Sequence, residues 1–224
     1  MSVLKVNEMF ETIQGEGFFT GLPAIFIRLQ GCPVGCPWCD TKHTWTLDPQ
    51  MDIPAEQVLA KTTDSEAYFS TDAASLVKRI LSMGYKAKHV VITGGEPAMY
   101  DLTQLTGLLI ESGYSVQIET SGTFEIQTHP DTWVTLSPKV DMKGGYQILD
   151  QTLQLANEIK HPVAMQKHIE ELDALLARPV TNPQAMVYLQ PISQQRRATE
   201  LAVATCIKRN WRLSLQTHKY IGIE

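Results

Sequence analysis

Apolar, strand-like segments alternate with helical segments along most of this chain, and this alternation constrains its fold more than any other feature. The strand-like segments are residues 24–30, 89–92, 115–122, 132–139, 185–193 and 211–218, and the helical segments are 101–112, 147–159, 166–177 and 195–210. Such an order predicts a mainly parallel sheet whose polar strand ends meet at one edge. We therefore expect an α/β fold of the open, partial βα barrel type, with a doubly wound sheet as the alternative.

Residues 46–75 fit this alternation poorly, although they contain a short helical stretch around 54–61. We interpret them as an insertion, either a lid or a partner surface, within a single domain that spans residues 1–224. The chain has 224 residues, of which 43% are hydrophobic and 19% are charged. This composition is typical of one globular domain with a buried core.

The charge balance, the hydropathy and the N-terminal residues argue against several classes of protein. The formal net charge is −5, from 19 basic and 24 acidic residues, and no basic cluster is present, which argues against a nucleic-acid partner. No apolar stretch of the sequence is long enough to cross a bilayer, and the N-terminal residues turn polar too early for a signal peptide. Three of the four cysteines are crowded together, unlike those of a secreted disulfide framework. We therefore predict a reduced, cytoplasmic protein without a membrane partner.

Cys32, Cys36 and Cys39 form a CxxxCxxC run in a loop that directly follows the first apolar segment. Two prolines and two glycines bend this loop, so the three thiols can converge on one iron–sulfur cluster. Three ligands would leave one iron of a [4Fe–4S] cluster open, whereas an electron-transfer ferredoxin needs a fourth cysteine. Cys206 lies in a helical, apolar segment and is predicted to be a buried hydrophobic residue. Structural zinc is the alternative, but zinc needs four ligands and His43 is the one imidazole nearby.

The cysteine run resembles the signature of the radical S-adenosylmethionine superfamily, in which an aromatic residue precedes the last cysteine. Trp38 occupies that place, and it is expected either to lie near the adenine of the cofactor or to shield the cluster from water. Residues 93–97 are similar to the GGEP motif of the same superfamily, which assigns Gly95 and Glu96 to S-adenosylmethionine. The resemblance implies that the methionine part of the cofactor chelates the open iron, and that one electron then yields a 5′-deoxyadenosyl radical.

A closer resemblance extends over nearly the whole chain. The segments 7–45, 89–97, 118–123, 134–139, 189–193 and 211–223 together are similar to the 7-carboxy-7-deazaguanine synthase family. That family is a magnesium-assisted homodimer that converts 6-carboxy-5,6,7,8-tetrahydropterin to 7-carboxy-7-deazaguanine with loss of ammonia, on the route to queuosine. The resemblance implies a lyase that takes hydrogen from C6 of the pterin, contracts the ring and regenerates S-adenosylmethionine. It also implies an electron donor such as flavodoxin.

The same resemblance assigns substrate contacts to individual residues. Ile13, Gln14 and Gly15 are expected to contact the pterin, with a plain glycine-rich turn as the alternative reading. Arg28 is expected to bind the substrate carboxylate through a bidentate pair of hydrogen bonds, although a lone arginine is often part of a surface salt bridge. Thr93 is also assigned to the substrate.

The metal and cofactor contacts follow from the resemblance as well. Thr41 is expected to bind Mg²⁺ through its hydroxyl while the substrate carboxylate completes the metal shell, and Asp40 is its competitor for that role. The residues assigned to the S-adenosylmethionine side are Ser137, Pro138, Lys139, Gln190, Pro191, Ile192 and Ser193. Glu16, Glu119 and His218 are weaker candidates on the substrate side, and simple packing is the alternative for Glu119 and His218.

Two other functions share part of this pattern. An activase that installs a glycyl radical on a partner enzyme would carry the same cysteine and GGEP motifs, but residues 12–17 and 216–220 favour a small-molecule substrate. A non-catalytic metal-binding module could use residues 46–75 as a docking surface. Iron analysis after anaerobic reconstitution distinguishes such a module from an enzyme with a [4Fe–4S] cluster.

Overall fold

The computed structural model of the chain describes residues 3–223, which form one nine-stranded sheet with helices packed on it. The strands of these residues are β1 (Leu4–Ile13), β2 (Pro23–Leu29), β3 (Phe69–Thr71), β4 (His89–Gly94), β5 (Ser115–Thr120), β6 (Trp133–Leu136), β7 (Glu158–Val163), β8 (Met186–Pro191) and β9 (Arg212–Leu213). The α-helices are α1 (Ala55–Leu59), α2 (Ala73–Ser82), α3 (Thr103–Glu111), α4 (Asp150–Leu155), α5 (Gln166–Leu176), α6 (Arg196–Arg209) and α7 (Thr217–Ile221). Short 3₁₀ turns lie at Gly17–Phe19, Lys42–Thr44, Pro49–Met51, Pro97–Met99 and Ile192–Gln194. Among residues 3–223, none of the helices combines the length and the apolar character that crossing a bilayer requires.

The strands follow the order β3-β1-β2-β4-β5-β6-β7-β8-β9 across the sheet. The pairings β1–β2 and β1–β3 are antiparallel, and the pairings from β2–β4 to β8–β9 are parallel. The sheet is open, with β3 and β9 at its two edges, but it curves strongly, since the Gly17 amide after β1 donates to Ser214 Oγ after β9 at 3.0 Å. The prediction of an open, mainly parallel α/β sheet of the partial barrel type is confirmed.

The apolar core lies between the sheet and its helices, in two parts. The first part joins β1, β2, β4 and β5 to α2 and α3, and the second joins β7 and β8 to α5 and α6. Asp72 begins α2, because its carboxylate accepts the Ser75 amide at 2.9 Å, and the helical spacing then turns Leu76 and Ile80 toward the core. Cys206 is buried in the second part, as the sequence predicted.

Three strands of the structure have no counterpart in the sequence prediction: β1, β3 and β7. The first two form the antiparallel edge of the sheet, and β3 brings part of the predicted insertion into the sheet. The helical stretch expected around 54–61 is α1, but the segment 147–159 is only partly helical, because α4 ends at Leu155 and β7 begins at Glu158. The charges of Glu158 and Lys160 concealed β7, because charged side chains are rarely buried unless they are paired.

Candidate active site

A cavity of about 310 Å³ opens at the carboxyl ends of the parallel strands, where the sequence pattern predicted the site. Its wall contains the three clustered cysteines and every other predicted site residue except Pro138, which lines an adjoining depression beside Trp38. The predicted residues in the wall are Ile13, Gln14, Gly15, Glu16, Arg28, Trp38, Asp40, Thr41, Thr93, Gly95, Glu96, Glu119, Ser137, Lys139, Gln190, Pro191, Ile192, Ser193 and His218. Residues from both ends of the chain therefore meet around one space.

The donor set of the cysteine loop fits a [4Fe–4S] cluster better than zinc. Cys32, Cys36 and Cys39 carry free thiols and share the cavity wall. Around one tetrahedral zinc, sulfurs lie roughly 3.8 Å apart. Among residues 3–223, however, the three cysteine sulfurs do not all lie within 4.8 Å of one another. The one set of three His, Cys, Asp or Glu ligand atoms within that distance contains no cysteine. Three sulfurs spread more widely suit a cluster in which each binds a different iron.

Burial around the cysteine loop favours the protonated form of two of its thiols. It raises the pKa of the Cys32 thiol to about 11, and it raises the pKa of Cys36 as well. Thiolates are the ligands of iron, so cluster assembly has to release these protons. The Trp45 indole donates to Cys39 Sγ at 3.3 Å, a contact that the sequence analysis missed because the loop must first fold back on itself. Hydrogen bonds to ligand sulfurs tune the reduction potential of such clusters.

The GGEP loop packs directly against the beginning of the cysteine loop. The amide of Gly95 donates to the Leu29 carbonyl at 2.9 Å, and the amide of Glu96 donates to the Gly31 carbonyl at 2.8 Å. A Cβ atom on Gly95 would overlap the Gly31 carbonyl and crowd Cys32. This position therefore requires glycine because of close backbone approach, and the loop supports the cluster ligands as well as lining the cavity.

Gly95→Ala is expected to weaken iron retention strongly and to lower the unfolding free energy by about 1–3 kcal/mol, because the overlap forces the two loops apart. Gly107→Ala in α3 is the matched control, since the nearest atom to its added methyl is 3.9 Å away and alanine favours a helix. Iron content after anaerobic reconstitution and urea unfolding measure both effects. Full iron retention by Gly95→Ala would show that the close approach is dispensable.

The carboxylate of Glu96 is buried and fully engaged within the protein. It accepts the Ala98 amide at 3.0 Å and the Thr120 hydroxyl at 2.6 Å through one oxygen, and the Ser121 amide at 2.8 Å and the Ser121 hydroxyl through the other. Four donors fill the four lone-pair sites of a carboxylate. Glu96 thus ties the GGEP loop to the end of β5, and an ammonium group from a ligand would have to displace one of these donors.

Ser137 and Lys139 form one unit on the side of the cavity predicted for S-adenosylmethionine. The Lys139 ammonium donates to the Ser137 carbonyl at 3.0 Å and to its hydroxyl at 2.5 Å. Burial lowers the pKa of Lys139, while the neighbouring Cys36 favours its charged form. Ser193, further along this side, adopts a left-handed conformation with φ of 52°. Non-glycine residues held in that region are frequent at functional sites.

The C-terminal segment of the described residues covers the loop after β1. Both the amide and the hydroxyl of Thr217 donate to the Gly15 carbonyl at 3.0 Å. A side chain at Gly15 would overlap the imidazole of His218, so glycine permits this contact. The amide of Gln14 points toward β5 and donates to Glu119 Oε1 at 3.0 Å.

Arg28 points into the cavity but already has one partner there. Its Nε donates to Glu8 Oε2 at 2.8 Å, and Glu8 faces it from the adjacent strand β1. The other Glu8 oxygen lies 3.7 Å from His43 Nε2, in the cysteine loop. This pairing engages Nε and leaves the Nη groups of Arg28 available to donate to a further acceptor.

Lys160 is a cavity residue that the sequence analysis missed altogether. It lies on β7, it is 2% exposed, and its ammonium contacts Glu16 at 2.5 Å and Glu119 at 2.8 Å. Burial alone would lower the pKa of Lys160, but the charges of Glu119, Glu16 and Glu158 outweigh burial and raise it. The charge of Lys160 likewise overcomes burial at Glu16 and lowers the pKa of that carboxyl to about 2.

The Glu16–Lys160 pair should make the fold sensitive to acid. A carboxyl whose pKa falls from 4.5 to about 2 on folding stabilises the protein above pH 4.5, and this contribution is lost as the pH falls toward 2. Urea unfolding of cluster-free protein between pH 4.5 and 2 measures this loss of unfolding free energy. We expect the loss to be smaller in Glu16→Gln than in the wild type, and the two losses should differ by at most about 3 kcal/mol. Equal slopes of unfolding free energy against pH would contradict the pairing.

The surroundings of Thr41 supply few protein ligands for Mg²⁺. Its hydroxyl lies 3.6 Å from Cys39 Sγ and borders the cavity. Asp40, the competitor, is exposed, and one of its oxygens accepts from Lys219 at 3.1 Å. Magnesium keeps several waters and binds readily to the oxygens of a substrate, so such a site fits a metal that arrives with a carboxylated substrate.

The comparisons with known proteins agree with this site. Residues 26–137 match the family model of the Radical SAM superfamily. The open parallel sheet and the three unpaired thiols at its carboxyl edge therefore define a radical SAM enzyme, whose cofactors are a [4Fe–4S] cluster and S-adenosylmethionine.

Over 218 residues, covering 97% of this chain and 98% of the relative, the sequence is 56% identical to 7-carboxy-7-deazaguanine synthase of Escherichia coli (strain K12). It is 43% identical, over 97% and 98%, to the enzyme of the same name from Buchnera aphidicola subsp. Schizaphis graminum. The crystal structure of QueE from Escherichia coli is similar with a TM-score of 0.92 at 55% identity, covering 95% of this chain and 93% of that chain. The chain belongs to the 7-carboxy-7-deazaguanine synthase family, which confirms the family predicted from the sequence.

Proposed function

We propose that this enzyme converts 6-carboxy-5,6,7,8-tetrahydropterin to 7-carboxy-7-deazaguanine and ammonia. The observation that carries the proposal is that one cavity unites the three thiols, the GGEP loop and a set of groups suited to a carboxylated, guanine-like ring. A glycyl-radical activase would need access for a peptide of its partner, whereas the C-terminal segment covers this cavity at Gly15 and Asp40. The family relatives support the same choice.

S-adenosylmethionine is proposed to bind between the cysteine loop and the ends of β6 and β8. Its contacts would be Trp38, Gly95, Glu96, Ser137, Pro138, Lys139, Gln190, Pro191, Ile192 and Ser193. Cys32, Cys36 and Cys39 would hold the cluster beside it, and Glu96 would act mainly by fixing the GGEP loop to β5. When bound, the cluster and S-adenosylmethionine supply the radical chemistry, and the protein supplies orientation and excludes water.

The substrate is proposed to lie across the cavity with its two ends held differently. The free Nη edge of Arg28 would bind the carboxylate, and Thr41 would bind the Mg²⁺ that shares this carboxylate. Thr93, on the strand beside Arg28, would contact the ring. Gln14 and Glu119, with the backbone of Ile13 and Gly15, would face the opposite, guanine-like edge, and His218 would close the cavity over the loop.

The partners and location are part of the same proposal. Radical generation needs one electron from a reduced donor such as flavodoxin, and we propose a homodimer that works in a reducing, cytoplasmic environment, where free cysteine thiols persist.

Anaerobic turnover of 6-carboxytetrahydropterin tests the function directly. We expect the reconstituted protein, with close to four irons per chain, to form 7-carboxy-7-deazaguanine only when S-adenosylmethionine and a reductant are present, and faster with Mg²⁺. Iron-loaded protein that cleaves S-adenosylmethionine but never converts the pterin would favour an activase. Protein that assembles no iron would favour a non-catalytic module.

A further inference from the structure

Lys160, Glu16 and Glu119 line one part of the cavity, which we call its floor. The side chain of Lys160 is 2% exposed, whereas the side chains of its partners Glu16 and Glu119 are 14% and 17% exposed. All three side chains border the cavity, and that of Lys160 is the least exposed of the three. The two carboxylates therefore offer a ligand in the cavity more accessible surface than the lysine does.

Each carboxylate on this floor is also held at its second oxygen. Glu119 Oε1 accepts the Gln14 amide at 3.0 Å, and Glu16 Oε1 accepts the Gln216 amide at 2.8 Å. Lys160 takes the remaining oxygen of each. The orientation of both carboxylates is thereby determined by groups on three different segments of the chain, with Lys160 as the shared contact.

Two carboxylates and one ammonium leave the floor with an excess of negative charge and of acceptor oxygens. Such a floor favours a ring edge that presents adjacent N–H donors, because each carboxylate oxygen can accept more than one hydrogen bond. It disfavours an edge that presents a carbonyl oxygen, because two acceptors then face each other without water.

We propose that Lys160 is a positioning residue that determines the specificity of the cavity for a 2-amino-pyrimidinone edge, by holding Glu119 and Glu16 as two fixed carboxylate acceptors. The proposal rests on the proposed function, since it concerns the ring edge of the same substrate. Lys160 itself does not touch the ring. Its loss should therefore change which substrate is preferred as well as how fast one substrate reacts.

The test compares 6-carboxytetrahydropterin with its analogue that carries a carbonyl oxygen in place of the 2-amino group. We expect the wild type to prefer the pterin by roughly 100-fold or more in kcat/KM. In Lys160→Met this preference should fall at least about tenfold, mainly through a higher KM for the pterin, because the carboxylates lose their common contact. Lys160→Arg should restore most of the preference, and Lys208→Met, an exposed lysine of α6, should not change it.

The variants are checked by iron content and thermal unfolding. Lys160→Met leaves the carboxylates of Glu16 and Glu119 without a neutralising charge. The double variant Lys160→Met with Glu16→Gln keeps the net charge of the floor, and we expect it to lose the preference for the pterin as well. An unchanged preference in whichever of these two variants folds and binds iron would overturn the role of Lys160. A wild type that does not convert the pterin would instead refute the proposed function, and this inference with it.

Discussion

Cys36→Ala is expected to leave no measurable conversion of the pterin although the chain still folds. The Cys36 thiol is buried in the cavity wall with Cys32 and Cys39, and each of the three sulfurs is needed to hold a cluster that keeps one iron open. Iron and sulfide content and the visible absorption spectrum after anaerobic reconstitution measure the cluster, and product formation measures turnover. Near-normal iron content together with normal turnover in Cys36→Ala would exclude this thiol as a ligand.

Cys206→Ala is the matched control for that experiment. Its thiol lies in the second part of the core and donates to the Arg212 carbonyl at 3.2 Å, away from the cavity wall. We expect full iron content and turnover, with a loss of unfolding free energy of about 1 kcal/mol from the missing sulfur and its hydrogen bond. A loss of iron in Cys206→Ala would show that the fourth cysteine contributes to the cluster after all.

Arg28→Gln is expected to lower kcat/KM for the pterin roughly 100-fold, mostly by raising KM. The proposed bidentate contact between Arg28 and the substrate carboxylate is charge-assisted, and glutamine can supply neither the charge nor the fork. A loss of about 3 kcal/mol of binding in both ground and transition state corresponds to this change. Steady-state kinetics with varied substrate and varied Mg²⁺ separates the carboxylate contact from metal binding.

Two further variants control this prediction. Arg28→Lys retains the charge without the fork and should lie between the wild type and Arg28→Gln. Glu8→Gln removes the charge that pairs with Arg28 Nε but leaves an acceptor oxygen, so we expect a smaller rise in KM than in Arg28→Gln. If Arg28→Gln changes kcat/KM no more than Glu8→Gln does, Arg28 is only a structural ion pair.

Features that depend on local spacing were predictable from the sequence. The helices α3, α5 and α6 follow apolar periodicity, and the thiols of Cys32, Cys36 and Cys39 border one cavity because Gly and Pro bend a short loop. The GGEP loop could be located next to a strand end for the same reason. The contact of the GGEP loop with the cysteine loop could not be predicted, because the Gly31 carbonyl that accepts the Glu96 amide lies more than sixty residues earlier in the chain.

Features that depend on distant partners were not predictable. β7 escaped prediction because Glu158 and Lys160 look like surface residues until the folded chain supplies their partners. Glu16 and Glu119 pair with Lys160, whereas the Thr135 hydroxyl and the Phe18 amide donate to Glu158. The engagement of Glu96 by Thr120 and Ser121 is of the same kind. A buried charge requires an opposite charge or several hydrogen-bond donors, and only the folded chain supplies them.

The sequence by itself determined the class of chemistry, since three closely spaced thiols and a glycine-rich turn after a strand need few long-range contacts to present their ligands. The tertiary structure alone decided how the floor of the cavity is charged and which carboxylates face a substrate. That decision depends on residues from the loop after β1, from β5 and from β7 meeting within hydrogen-bonding distance, and such long-range contacts cannot be inferred from local sequence.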